Sequence, residues 1–260
     1  MDVDKATNDT TTFLTKLNSR GEIVWQIGMQ APNFRRIQPF QLKETPNGEI
    51  VISGLEQSQN PLQHRIVLLK FSSEGTLIWH KRFEQTLILS EELISVFDIH
   101  IAINGDIVFS AAISHIDLPF YSLLCRLNKD GAIIWSRAFN SDDTSHEFFG
   151  ISVESDHLVV FARFIGGPGI CNTTDVQRFS GMKIDINDGN LIDQKTFCLT
   201  VPHAALGYNP NAYAFTFIKR TNGNYVISGK QFGQGTYIKK DYVSLEFDNG
   251  LAFVKGKIAG

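Results

Sequence analysis

This chain of 260 residues has few cysteines, no marked excess of either charge and no apolar run longer than a strand. Strand-sized apolar runs exclude a membrane-spanning helix. A net charge of −3 gives no basic surface for nucleic acid or for anionic membrane. The three cysteines, Cys125, Cys171 and Cys198, match no metal-ligand spacing, and an odd, sparse set makes no disulfide framework. Cys125 and Cys198 lie in apolar alternating stretches and are expected as buried free thiols. Cys171, in a glycine-rich loop, is the one placed to react or bridge. Helical periodicity is nearly absent, with "LILSEELISVF" the sole candidate. The opening "MDVDKATNDT" has no basic segment followed by an apolar one, so no signal peptide is read there. A hydrophobic content of 43% suits a globular chain with a substantial core.

What is present is a repeat. "FLTKLNSRGEIVWQIG", "IVLLKFSSEGTLIWHKRF", "SLLCRLNKDGAIIWSRAF" and the more divergent "GMKIDINDGNLIDQKTF" share a glycine followed by a bulky residue. The pairs are Gly21 with Trp25, Gly75 with Trp79 and Gly131 with Trp135; the fourth copy has Gly189 with Asp193, and the fifth is read at Gly250 in "FDNGLAFVKG". A second element, "NGEIVISG" and its kin at Asn47, Asn104, Ser155 and Asn222, lies between the copies. Self-similarity at this period outranks any local assignment. Each period parses into four strands whose Val, Ile, Phe and Trp suit a pleated surface, with Asn, Asp, Ser and Gly at the turns. Repeated four-stranded antiparallel sheets are the blades of an all-β propeller. The expected arrangement is a half blade at 12–28 and blades at about 38–85, 95–140, 148–199 and 214–258, about four and a half in all. Trp25, Trp79 and Trp135 are expected to dock one blade against the next, each burying on the order of 200 Å². Asp193 predicts a different docking for the fourth blade.

On "KLNSRG" at Lys16–Gly21, "KFSSEG" at Lys70–Gly75, "RLNKDG" at Arg126–Gly131 and the "NGEIVISG" strands, the chain resembles secreted and cell-surface bacterial repeat propellers. These are the seven-bladed propeller and delta-60 repeats and, more distantly, the tryptophan-docking repeats of quinoprotein dehydrogenases. The resemblance implies a propeller and often an extracytoplasmic location, without implying a reaction. No stretch carries the quinoprotein's cofactor-stacking tryptophan, metal ligands and catalytic Asp, so that activity does not carry over.

The half blade lacks two strands, and an unpaired edge invites association. Three readings stay open: a fragment of a longer propeller, which is favoured; a ring completed by another copy; or strands hidden in misread residues. The turns inside two-strand units are tight, whereas the connections 28–38, 54–65, 85–94, 111–122, 140–149, 162–180, 200–213 and 230–241 are long and dissimilar. In an up-and-down blade the two classes lie at opposite ends, and variable loops on rigid strands suit binding. Candidate ligand-binding residues are Tyr208, Asn209 and Tyr213 in "YNPNAY", His115, Asp117 and Tyr121 in "HIDLPFY", Arg35 and Arg36 in "NFRRI", and Tyr237 in "YIKKDY". Rings with amide and carboxylate neighbours suit sugars and peptides.

Other signals are weaker. "DINDGN" at Asp185–Asn190 is similar to a calcium loop, but its glycine comes one place early and it aligns with ordinary turns. Asp142, Asp143, His146 and Glu147 lack a second histidine at ligand spacing. "GGPG" at 166–169 opens no helix, so it cradles no phosphate. No nucleophile elbow is present. Asn8 and Asn172 meet the glycosylation pattern. The expectation is a non-catalytic module binding a protein or a glycan, with no metal and no cofactor. A glycan hydrolase or lyase working at the axial channel and a structural spacer are the alternatives.

Overall fold

The computed structural model describes residues 2–4, 9–29, 36–57, 64–83, 93–115, 118–141, 144–165, 176–200, 211–232 and 240–259. Among them every regular element is a strand. The first sheet holds β1 (Asp2–Asp4), β2 (Asp9–Leu17) and β3 (Ile23–Met29). The second holds β4 (Arg36–Glu44), β5 (Ile50–Gln57), β6 (His64–Phe71) and β7 (Leu77–Phe83). The third holds β8 (Leu93–Ile101), β9 (Ile107–His115), β10 (Leu118–Leu127) and β11 (Ile133–Ser141), and the fourth β12 (Thr144–Val153), β13 (His157–Ile165), β14 (Val176–Asp185) and β15 (Leu191–Thr200). The fifth holds β16 (Asn211–Lys219), β17 (Tyr225–Phe232), β18 (Lys240–Phe247) and β19 (Phe253–Ala259). Strand order follows chain order throughout. The third and fourth sheets share one ladder through the pairings Asn140↔Ser145 and Ser141↔Thr144. The chain divides into two compact units, Met1–Leu118 with Cys125–Ile134, and Pro119–Leu124 with Trp135–Gly260.

Several sequence expectations change. The first sheet gains β1, paired to β2 from Asp2↔Thr11 to Asp4↔Asp9, so it has three strands rather than two. Of the helical candidate, Leu93 onward is strand β8 and the rest lies outside the described residues. The loops expected at 111–122 and 140–149 are mostly strand, leaving only 116–117 and 142–143 between elements. Polar residues there suggested loops, but strands near their ends accept His, Ser and Asn once the backbone is paired. Cys125 is buried, as expected, and in no disulfide; Cys171 and the side chain of Cys198 lie outside the described residues.

The turns that close the last two strands of each sheet obey one chemistry. Gly21, Gly75 and Gly131 donate their N–H to the carbonyls of Asn18, Ser72 and Asn128 at 2.9–3.0 Å, with φ of 80–85°. The first turn residue also accepts from the backbone: Asn18 Oδ1 takes the N–H of Arg20 and Glu22, and Asn128 Oδ1 those of Asp130 and Ala132. Such side-chain mimicry of a turn explains Asn, Ser and Asp at this place. The "DINDGN" turn is one residue longer, with Asp185 N–H bonded to Asn190 and Gly189 N–H bonded to Asp185.

The tryptophans lie against these glycines. A Cβ added to Gly75 would come 3.0 Å from Trp25, one on Gly131 3.3 Å from Trp79, and one on Gly189 2.7 Å from Trp135. Each indole N–H then donates to a carbonyl of the same turn: Trp25 to Ser73 at 3.0 Å, Trp79 to Lys129 at 3.3 Å and Trp135 to Ile186 at 2.8 Å. Lys16 and Lys70, opposite Trp25 and Trp79 in register, donate to the same carbonyls of Ser73 and Lys129. Glycine is therefore demanded twice, by backbone conformation and by the ring above it.

The fourth-to-fifth contact departs from this pattern, as Asp193 foretold, and it corrects the reading of Gly250. Asp193 pairs with Lys183 where the other sheets pair Lys16 with Trp25 and Lys70 with Trp79. In the fifth turn the residue donating back to the turn's start is Leu251, to Asp248 at 3.0 Å, with φ 62°; Gly250 precedes it. A leucine in the left-handed region costs about 1–2 kcal/mol. Burial offsets that, because Leu251 is 0% exposed and its methyls would lie 3.3 Å from a Cβ on Gly181. Gly181, two before Lys183, stands where the other sheets have Leu14, Leu68 and Leu124. The fifth turn thus fills a gap that the fourth sheet leaves open, and Lys195 Nζ donates to Gly250 O at 2.5 Å in the tryptophan's stead.

In the first unit one core joins Met29, Ile37, Ile50, Ile52, Val67, Leu69 and Phe71, with Trp25 packed on it. In the second, Phe161, Phe179, Tyr225, Leu245, Phe247 and Leu251 form another. Trp135→Ala, removing a ring only 6% exposed, should lower stability by about 3–5 kcal/mol, and Trp79→Ala by less, because Trp79 is half-exposed. Leu251→Ala should cost about 2–5 kcal/mol, and Leu251→Gly about 1 kcal/mol less than Leu251→Ala because glycine relieves the backbone. Urea denaturation of the four variants checks both orders; alanine outperforming glycine at 251 would refute the turn assignment.

Candidate functional site

Antiparallel meanders put consecutive turns at alternate ends of a sheet. The tight turns at 18–22, 45–49, 72–76, 102–106, 128–132, 154–157, 185–190, 220–224 and 248–252 close strand pairs at one end. The opposite end of each sheet carries the remaining connections. These vary from two residues between His115 and Leu118 to ten between Ile165 and Val176.

At the tight-turn end, charges are used up within the protein. Lys70 Nζ lies 2.6 Å from Glu49, and Arg126 lies 2.5 Å from Asp106, joining the second and third strands of their sheets. The fifth sheet reverses the charge: Glu246 stands at the lysine position, accepts from Asn224 at 2.8 Å and meets Arg220 and Lys255 at 3.1 and 3.3 Å. Glu154 gathers Ser152 at 2.8 Å, the Tyr225 hydroxyl at 3.0 Å and Lys219. Burial alone would raise the Glu154 carboxyl, but the donors from Lys219, Ser152 and Tyr225 outweigh it and hold the group low. The same burial, with Glu154 beside it, pushes the Tyr225 phenol up, so it stays a neutral donor.

A second cluster lies near the other end of the second sheet. Glu56, next to last in β5 and 0% exposed, lies 2.7 Å from Arg82 Nε and 2.9 Å from His80 Nε2, both on β7. Arg82 Nε donates an aligned hydrogen bond to one carboxylate oxygen, and His80 Nε2 lies beside the other. Burial would raise the Glu56 carboxyl, yet its contacts with His80 and Arg82 more than compensate and hold it below its usual range. A carboxylate so enclosed cannot reach a ligand. It ties the last strand of the sheet to the second.

Of the residues expected to bind ligand, Arg36 opens β4, His115 ends β9, Tyr121 lies in β10 and Tyr213 in β16, so these four are strand residues rather than loop residues. Arg35, Asp117, Tyr208, Asn209 and Tyr237 lie outside the described residues. Sequence reasoning missed a phenylalanine on the first strand of four sheets. Phe40, Phe97, Phe149 and Phe215 each fall where the ladder slips, between Pro39 and Gln41, Val96 and Asp98, Phe148 and Gly150, and Tyr213 and Thr216. Such bulges bend a strand and redirect its side chains. The signal was present: Phe40, Phe97 and Phe215 each precede a turn glycine by eight residues. Tyr213 stands directly before the last of these bulges, paired with Lys230. No group of three or more His, Cys, Asp or Glu side chains is placed to hold a metal among the described residues.

No protein-family model matches the sequence, and no curated protein matches it. Solved structures do. An α-L-arabinofuranosidase from Fusarium graminearum, solved with an iminosugar inhibitor, superposes over 88% of this chain with TM-score 0.54 at 11% identity. The chain is a β-propeller. It spans 66% of that enzyme's length. A levansucrase from B. megaterium (TM-score 0.47, 12% identity, 98% of this chain and 78% of that one) and the WD40 domain of SCAP from fission yeast (0.30, 9%, 95% and 71%) are more distant. The likeness reaches the propeller architecture and not a particular repeat family. At 11% identity the likeness shows the architecture alone and selects neither catalysis nor binding.

The Glu56 cluster gives a measurable pH dependence. A carboxyl held low in the folded propeller adds stability that is complete above its unfolded value, near 4.5, and is lost as pH falls through the folded value. Glu56→Gln should therefore lower the melting temperature at pH 7, and the gap from the parent should narrow as the pH is taken from 5 towards 3. A gap independent of pH would show that the carboxylate's charge plays no part.

Proposed function

We propose that this propeller is a non-catalytic binding module that recognises a protein or glycan partner through the connections opposite its tight turns. The observation that carries the reading is the asymmetry of the two ends. The tight-turn end holds strands and sheets together: its turns are closed by backbone bonds, and Lys70, Arg126 and Glu246 are paired there with Glu49, Asp106 and Arg220. The connections at the other end vary in length fivefold, from two residues to ten, between strands that remain paired in chain order. Rigid strands bearing variable connections are where recognition is usually built.

Contact residues on this reading are Tyr208, Asn209 and Tyr213, His115, Asp117 and Tyr121, Arg35 and Arg36, and Tyr237. Tyrosines beside amides suit sugar rings and peptide side chains alike, since a flat apolar face works together with a few directional hydrogen bonds.

A glycan array and a peptide library, each probed with the purified chain, test the proposal. The double variant Tyr208→Ala/Tyr213→Ala should weaken the strongest hit at least tenfold, by analogy with aromatic anchors at other interfaces, and leave the melting temperature within a few degrees. Turnover of any arrayed glycan would overturn the non-catalytic reading. A collapse in melting temperature would make the tyrosines core residues instead.

A further inference from the structure

The last strand of a propeller sheet presents a free row of backbone N–H and C=O groups, the usual template for unwanted strand pairing, and proteins guard such edges with charge. Four of the five last strands here are guarded: β7 carries His80, Lys81 and Arg82, β11 Arg137, β15 Asp193 and Lys195, and β19 Lys255 and Lys257. The exception is β3. Its seven residues, "IVWQIGM", contain no charge and no proline. It ends its sheet, and among the described residues no further strand pairs with it. Ile23 and Val24 are 64% and 57% exposed, and Gln26 and Gly28 are exposed as well.

We infer that the free edge of β3 is a strand-pairing interface for the β3 of a second copy of this chain. An uncharged strand is complementary to itself, since no like charges meet when two copies lie antiparallel about a two-fold axis. The same arrangement at β7 would set Lys81 and Arg82 against their own copies. Ile23 and Val24 can form cross-strand aliphatic pairs with an added neighbour; each last strand opens with two exposed apolar residues, so the absence of charge is what sets β3 apart. The length and composition of β3 fit two sheets joining into one continuous ladder. The two readings rest on different observations, so failure of either leaves the other standing.

Light scattering after size exclusion, at 10–100 µM chain, is the first test. Twice the chain mass is expected, and a single-chain mass throughout that range overturns the inference. Val24→Lys/Gln26→Lys places cations where β7 carries its own and should return the chain to single mass with an unchanged circular dichroism spectrum. The uncharged control Val24→Thr/Gln26→Thr should stay double. A charged variant that remains double overturns the assignment to β3. Hydrogen exchange on the unaltered protein needs no variant: amides of Ile23–Met29 should exchange more slowly at high than at low concentration, while those of β7 do not change. Equal exchange of β3 at both concentrations also overturns it.

Discussion

An indole seated on a glycine turn is the contact on which the rest of this propeller depends. Each sheet by itself is a meander of three or four strands, and it gains a place only by leaning on the next. The Trp25, Trp79 and Trp135 rings supply apolar area, and their N–H groups satisfy turn carbonyls that would otherwise need water. The lysines opposite Trp25 and Trp79 add a second donor to the same carbonyl oxygens, so two strands of one sheet grip a single atom of the next. Any side chain on the glycine would force the ring away, which couples two positions some fifty residues apart.

The fourth-to-fifth contact shows what happens when that coupling is released on both sides. Without a tryptophan at 193, no indole lies over the fifth turn, and a leucine takes the glycine's conformation. Its strain is tolerated because Gly181 leaves room and Phe161 lies beside it. Glu246 replaces the lysine in the same sheet and recruits Arg220, Lys255 and Asn224 to compensate. Three departures from the repeat, at 181, 193 and 251, are therefore one solution to one packing problem.

The same logic separates the parts of the chain that hold the fold from those free to do something else. Charges at the tight-turn end and the Glu56 cluster are enclosed or paired, and they stabilise contacts between strands. The bulges at Phe40, Phe97, Phe149 and Phe215 mark where the ladders bend, just ahead of the strand segments that lead into the tight turns.

The all-β repeat, the tight turns and the equivalence of Trp25, Trp79 and Trp135 are determined by local sequence, because turn conformation and strand alternation are fixed by residues a few places apart. Tertiary structure alone decided which residue of the fifth turn takes the left-handed conformation, since "DNGL" offers a glycine one place before the position the ladder requires. It decided that His115, Tyr121 and Tyr213 are strand residues, because backbone pairing with a neighbouring strand overrides a polar composition. It also decided that Glu56 meets His80 and Arg82. Residues that far apart come together only through the register of β5, β6 and β7, and no local rule sets that register.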